Sequence, residues 1–242
     1  VQAELSDVRS NSSGHCYLEF VQKDTGGNHL IAKARGTIWS NIFKMLKPYF
    51  EQETGQQFAS GIKVLVQVSV EFHELYGYSL TVLDIDPTYT LGDMARRRRE
   101  IILRLEEEGV LTMNKELDMP LAPQRIAVIS SATAAGYGDF CDQLRNNPYG
   151  LSFQTKLFPA VMQGERVEES IISALESVYQ ELDEWDVVVL IRGGGATSDL
   201  SGFDTYNLAA NCAQFPLPIV TGIGHERDET VLDIVAHTRG KT

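Results

Sequence analysis

Cysteine is scarce in this 242-residue sequence: Cys16, Cys141 and Cys212 stand far apart and form no CxxC pair. That spacing excludes a disulfide framework and a zinc knuckle. The thiols are expected to be buried apolar groups in a reducing compartment. No apolar run approaches the roughly 20 residues that a bilayer span needs, so no membrane partner is expected. A charged-then-apolar leader is also missing. Because Val1 already reads as part of a strand, the sequence is expected to be a fragment whose true start is absent. Positive charge is short as well: 21 Lys and Arg stand against 33 Asp and Glu, a formal net charge of −12. Most of the deficit falls in residues 117–242, with eight basic against seventeen acidic side chains. This balance argues against a protein coated in basic surface for duplex DNA. Any contact with nucleic acid must be local, aromatic-assisted, or shared with segments outside the sequence.

What is present is an ordinary globular composition, 43% hydrophobic and 22% charged, over a length that suits one or two domains. The first part reads as all-β. Apolar-rich runs at residues 1–8, 16–22 and 30–36 are separated by turn residues. Residues 39–50 place Ile42, Phe43, Leu46, Tyr49 and Phe50 at helical spacing, and Pro48 is expected to limit that helix. Residues 63–72 (KVLVQVSVEF) alternate strictly, and 78–86 (YSLTVLDID) follow a turn built on Tyr76 and Gly77. Five strands with one helix between the third and fourth is the order of an OB-fold barrel. Residues 93–108 read as a charged connecting helix stopped by Gly109. Its Arg96–Arg99 run fits a solvated face balanced by Glu100 and Glu106–Glu108 better than a phosphate contact. Residues 112–123 read as a loop.

From Arg125 the pattern changes to strands at 126–130, 153–158, 187–191 and 219–222. These alternate with helices at 138–144, 165–182, 205–213 and 229–235. Short apolar strands in βαβα order imply a mainly parallel sheet flanked by helices. The expected architecture is therefore an N-terminal OB-fold β-barrel (1–90), a connecting helix and loop (91–123), and an α/β domain (124–242).

In open parallel sheets, ligands bind beyond the carboxyl ends of the strands. Three polar, glycine-containing loops lie at that edge: residues 130–139 (SSATAAGYGD), 192–199 (RGGGATSD) and 222–228 (GIGHERD). Gly193, Gly194 and Gly195 allow close backbone approach and positive φ, and their amides could form an anion-binding concavity. Arg192 adds a fork of donors suited to phosphate. The spacing matches neither GxGxxG nor a Walker loop, which counts against a nucleotide cofactor. His225 could serve as general acid or base. Asp228 could orient it or bind a metal, with Asp139 joining from the first loop. Both aspartates could equally be helix caps. In the barrel, Tyr17, Phe20, Phe72, Tyr76 and Tyr78 are candidates for base stacking, with Tyr76 and Tyr78 best placed beside the turn. His15, His29, His73 and His237 show no ligand spacing.

These segments, taken together, resemble the large subunit of exonuclease VII. The likeness runs through SSGHCYLEF, KVLVQVSVEFHELYGYSLTVLDIDP and RIAVISSATAAGYGDF. It is strongest in DVVVLIRGGGATSDLSGFD and PLPIVTGIGHERDETVLDIVAHTRGKT. The resemblance implies an OB-fold that binds DNA and a nuclease domain that degrades single-stranded DNA from its ends to oligonucleotides. It also implies several copies of a small subunit, bound through a long C-terminal helical segment that would begin where this sequence stops, and cytoplasmic action in DNA repair. Asp139, Arg192, His225 and Asp228 match the family's proposed catalytic groups, and Thr133 joins Gly193–Gly195 at the phosphate site. The chain departs from the family after the glycines, where Ala196, Thr197 and Ser198 precede Asp199. It departs again at Arg227, at Ala132 and Ala134, and at Gly138. The metal requirement stays open. One His with two Asp could hold a divalent ion such as Mg2+, yet His–Arg phosphoryl chemistry can proceed without one. Two other readings also stay open: a single-strand-binding barrel on a non-catalytic α/β scaffold, and a nucleotide- or sugar-phosphate enzyme.

Overall fold

The computed structural model describes residues 1–24, 29–74, 77–164, 166–193, 200–224 and 229–240. The chain forms two compact units, Val1–Arg97 and Arg98–Thr242.

The first unit is a closed barrel of β1 (Gln2–Ser10), β2 (Cys16–Lys23), β3 (Leu30–Ile38), β4 (Lys63–His73) and β5 (Gly77–Asp86), ordered β1-β2-β3-β5-β4. β1 closes the barrel by pairing with β4, and only β3 and β5 run parallel. Closure leaves no open edge to template aggregation. Alternation sets the lining: on β2, Cys16, Leu18 and Phe20 are buried while Tyr17 between them is exposed. Phe20 is therefore a core residue, and its place among the stacking candidates is corrected.

Helix α1 (Ser40–Thr54) contributes Leu46 and Phe50 to the barrel core. The expected stop at Pro48 does not hold. Pro48 lies on the exposed face, where the carbonyl it leaves unbonded can meet water. Burial of Phe50 and the bond from Thr54 Oγ1 to the Phe50 carbonyl at 2.7 Å carry the helix further. It ends at Gly55, whose φ of 67° is glycine's own region and whose N–H bonds Glu51 O at 3.0 Å.

Helix α2 (Pro87–Glu107) begins six residues before the expected start. Asp86 accepts the Thr88 N–H at 2.9 Å, and Pro87 takes the first helical position. Thr88 holds the Asp86 carboxyl below its ordinary pKa. The stop at Gly109, with φ 71°, is as expected.

The second unit holds β6 (Arg125–Ser130), α3 (Ala135–Arg145), β7 (Gln154–Pro159), α4 (Val167–Tyr179), β8 (Val187–Ile191), α5 (Tyr206–Ala213), β9 (Ile219–Gly222), α6 (Val231–Val235) and β10 (Thr238–Arg239). The sheet order is β10-β9-β8-β6-β7, parallel throughout. All five residues of β8 are buried. One face of the sheet (Ile126, Val128, Val187, Val189, Ile191) packs with Tyr137, Phe140 and Leu144 of α3. The opposite face (Ala127, Ile129, Val188, Leu190) packs with α4, α5 and α6. Burial on both faces explains why these strands read as continuous apolar runs. From β6 the chain moves one way to β7, then returns to the other side of β6 for β8, β9 and β10. The winding thus reverses between β6 and β8, and the carboxyl ends flanking such a reversal form the ligand crevice of open α/β sheets.

Candidate active site

Three strand ends are held level at the reversal. The buried Ser130, last in β6, donates its hydroxyl to the Ile191 carbonyl of β8 at 2.7 Å. One residue on, the Arg192 N–H donates to the Gly222 carbonyl, last in β9, at 2.9 Å. Arg192 therefore leaves the sheet at the crevice with its side chain 8% exposed.

The loop after β6 turns tightly into α3. Ala134 N–H bonds Ser131 O at 3.0 Å, and the Ser131 and Thr133 hydroxyls lie 3.1 Å apart. The N-cap position is Ala134, which has no side-chain oxygen to satisfy the first-turn amides. Helix α3 starts directly against the turn after β8. A Cβ on Gly136 would lie 3.2 Å from Arg192 O, and one on Gly193 would lie 2.7 Å from the Ala134 Cβ. The two glycines let helix and turn approach to backbone contact.

The structure thus brings together Thr133, Arg192, Gly193 and the first turn of α3. Asp139 occupies the second turn of α3 on its exposed side. Its position there overturns the helix-cap alternative, since the cap is Ala134. Gly194, Gly195, His225 and Asp228 lie outside the described residues, as does Tyr76. Of the three side chains considered for a divalent ion, only Asp139 is described. No cluster of three metal-ligating side chains occurs among the described residues.

Residues flanking the second and third loops show a polar framework that sequence reasoning misses. Asp233 accepts Thr230 N at 2.9 Å, Thr230 Oγ1 at 2.8 Å and Thr221 Oγ1 at 2.6 Å. Thr230 and Asp233 form a capping box at the start of α6; the T-x-x-D pattern that announces it is present in the sequence. Asp204, after a 3-10 turn at Ser201–Phe203, accepts Val231 N at 2.7 Å and the Arg98 guanidinium at 2.5 and 3.1 Å. Burial raises the Asp204 carboxyl above its ordinary pKa, opposed by the Arg98 and Val231 hydrogen bonds. Within the Arg96–Arg99 run, Arg96 and Arg97 pair with Asp93 and Arg98 pairs with Asp204.

On the barrel, Tyr78 of β5 is 74% exposed and faces Phe72 of β4 across the strand pair, itself 65% exposed. Their ring centroids are 5.0 Å apart. Val70, two residues before Phe72, is exposed too. Two strand-paired aromatics with open faces form an apolar platform suited to unpaired bases.

A family model described as the large subunit of exonuclease VII matches residues 110–242, and a model of an OB-fold nucleic acid binding domain matches residues 1–86. The exodeoxyribonuclease 7 large subunit of Deinococcus radiodurans is 37% identical over 248 residues, covering 100% of this chain and 59% of that protein. The like-named protein of Nostoc sp. is 32% identical, covering 98% of the chain and 53% of that protein. That of Lactobacillus delbrueckii subsp. bulgaricus is 31% identical, covering 100% and 49%. The chain spans about half the length of the curated relatives it matches. With a closed five-stranded barrel, a wound parallel sheet and a family match over more than half its length, the chain belongs to the exonuclease VII large-subunit family.

Proposed function

We propose that this chain binds single-stranded DNA on its barrel and hydrolyses phosphodiester bonds from strand ends, releasing oligonucleotides, at the carboxyl edge of its parallel sheet. The observation that carries this reading is the meeting of the uncapped first turn of α3, the Thr133 hydroxyl, the buried Arg192 and Gly193 at the winding reversal. Helix-terminal amides and a guanidinium are the groups that bind a phosphate and stabilise charge developing on its oxygens.

In this mechanism Arg192, Thr133 and the Gly193–Gly195 backbone clamp the scissile phosphate. His225 moves the proton of the attacking water or the leaving oxygen, and Asp228 and Asp139 orient it. A divalent ion such as Mg2+, where one is used, would be held by Asp139 and Asp228 and would polarise the phosphoryl group. Tyr78, with Tyr76 and Phe72, stacks the bases of the bound strand. The working enzyme is a complex with several copies of a small subunit, bound through a segment beyond Thr242, and it acts in the cytoplasm. No helix among the described residues is long and apolar enough to cross a membrane.

The test is cleavage of single-stranded DNA by the full-length complex, with and without chelator. His225→Ala is expected to abolish cleavage while single-strand binding stays intact. Removing the Arg192 side chain is expected to cost about 100-fold or more in rate. Full activity without both the Arg192 and Asp228 side chains would instead make the α/β unit a scaffold.

A further inference from the structure

The residues that flank the turns after β8 and β9 are tied to each other on both sides. On the near side is the Arg192–Gly222 backbone bond. On the far side is Asp204, whose Oδ1 accepts the Val231 N–H at 2.7 Å. Residue 204 follows the glycine turn and residue 231 follows the histidine turn, so this bond joins the two exits. Asp204 is itself firmly seated. Phe203 is fully buried, and a Cβ on Gly202 would lie 2.7 Å from the Val167 Cβ, so the 3-10 turn packs directly on α4.

Helix α6 does not need this bond in order to start. It is five residues long, and its first turn already carries the complete Thr230–Asp233 capping box. Asp233 additionally holds Thr221 before the histidine turn. A second carboxylate on the same turn, brought from another loop and buried against an arginine, adds a desolvation cost that helix capping alone does not justify. What it adds is a fixed distance.

Resting on the nuclease reading above, we propose that Asp204 is a positioning residue: through the Val231 N–H it fixes the residues that follow the glycine turn against those that follow the histidine turn. Arg98 compensates its charge from α2. Fixing them matters because a misplacement of about 1 Å in a reacting group can cost on the order of 100-fold in rate.

The experiment measures kcat, KM and single-strand affinity for the full-length complex carrying Asp204→Ala, Asp204→Asn, Val231→Ala, Val231→Pro and the Asp204→Ala/Val231→Pro pair. Proline removes the donor itself at a first helical position, where it is tolerated, and the extended backbone of Thr230 suits a residue before proline. Asp204→Ala and Val231→Pro are each expected to lower kcat by about 10-fold or more, with KM and affinity within about two-fold. The double variant is expected to be no worse than either single, as for two ends of one interaction. Asp204→Asn keeps an oxygen for the Val231 N–H but turns its amide N–H2 toward the Arg98 guanidinium, so its rate should lie between those of wild type and Asp204→Ala. Val231→Pro should fall well below Val231→Ala, which keeps the N–H.

Wild-type kcat in Asp204→Ala, multiplying losses in the double variant, or equal losses in Asp204→Asn and Asp204→Ala would overturn the proposal. If Asp204→Ala does not fold, Val231→Pro decides: a rate equal to that of Val231→Ala refutes the role. A wild-type complex that does not cut single strands would sink the nuclease reading and this inference with it. Cutting that survives every variant sinks only the inference.

Discussion

A Cβ placed on Gly193 would sit 2.7 Å from the Cβ of Ala134 and 2.9 Å from its Cα. Gly193 does not take the positive φ expected of a glycine-rich anion loop; among the described residues the positive-φ glycines lie elsewhere. What demands glycine here is the approach of α3 to the turn after β8. The helix that bears Asp139 and the strand end that bears Arg192 are thereby held at backbone contact.

Substituting Gly193 tests this contact. Because the blocking atoms include backbone, Gly193→Ala must displace α3 or the turn, at about 1–3 kcal/mol. Cleavage by the full-length complex should fall about 10-fold or more. Gly138 provides the contrast. It lies within α3, and a Cβ there meets nothing within 4 Å. Gly138→Ala should raise stability by about 0.5–1 kcal/mol through helix propensity. Urea unfolding of the two variants, alongside cleavage rates, checks both expectations.

The Phe72–Tyr78 pair makes a prediction on binding alone. Both rings are largely exposed, so Phe72→Ala and Tyr78→Ala should leave folding intact. Each should weaken single-strand binding by roughly 1–3 kcal/mol, the usual worth of one stacked base. Fluorescence anisotropy with a labelled oligothymidylate reads this directly. Unchanged affinity in both variants would move the binding face elsewhere on the barrel.

Much of the architecture is legible in the sequence because its signals are local. β8 and β9 have the expected bounds, since a short apolar run flanked by Asp186 and Arg192, or running from Pro218 to Gly222, has few other readings. Errors arise where local signals compete. Gly92 masks the early start of α2, whereas the Asp86-Pro87 pair that announces it is short. Pro48 sits on the exposed side of α1, where its cost is small, and sequence alone does not say which side that is. β10 has two residues, too few to carry a period. At the site, the sheet edge follows from strand order, but the reason for Gly193 and the Arg98–Asp204 pair does not. Those partners lie 106 positions apart, and neither has a local pattern.

Residues 112–123 read as a plain loop, yet Asn114 within them is fully buried. Its amide donates to Phe215 O at 3.0 Å and Leu217 O at 2.9 Å, and its carbonyl oxygen accepts from Ile219 N at 2.9 Å and His237 N at 3.0 Å. One side chain thus satisfies four backbone groups around β9. Asn114→Ala would strand them and should cost about 3–5 kcal/mol. Asn114→Asp should be comparably damaging, because a carboxylate has no donor for the two carbonyls. Urea unfolding followed through the buried Trp185 measures the loss, which should far exceed that of an exposed loop substitution such as Leu121→Ala.

Asp186 makes stability depend on acid. It precedes β8, and its carboxylate accepts the backbone N–H groups of Gln124 and Arg125 at 2.9 Å and the Arg125 guanidinium at 2.5 and 3.0 Å. The Arg125 hydrogen bond, foremost, holds its pKa below the ordinary carboxylate value. A depressed folded pKa means that the unfolded chain takes up the proton first. The contribution is therefore fully present above the unfolded value, about 3.9 for aspartate, and is lost as pH falls through the folded one. Asp186→Asn lacks this proton linkage. It should be less stable than wild type at neutral pH, and the gap between them should narrow steadily below about pH 4. Other carboxylates, Asp86 among them, titrate in both proteins and cancel in the difference. Urea midpoints for the pair at a series of pH values give that difference directly, and a gap that stays constant with pH would show that the Arg125–Asp186 contact contributes nothing through charge.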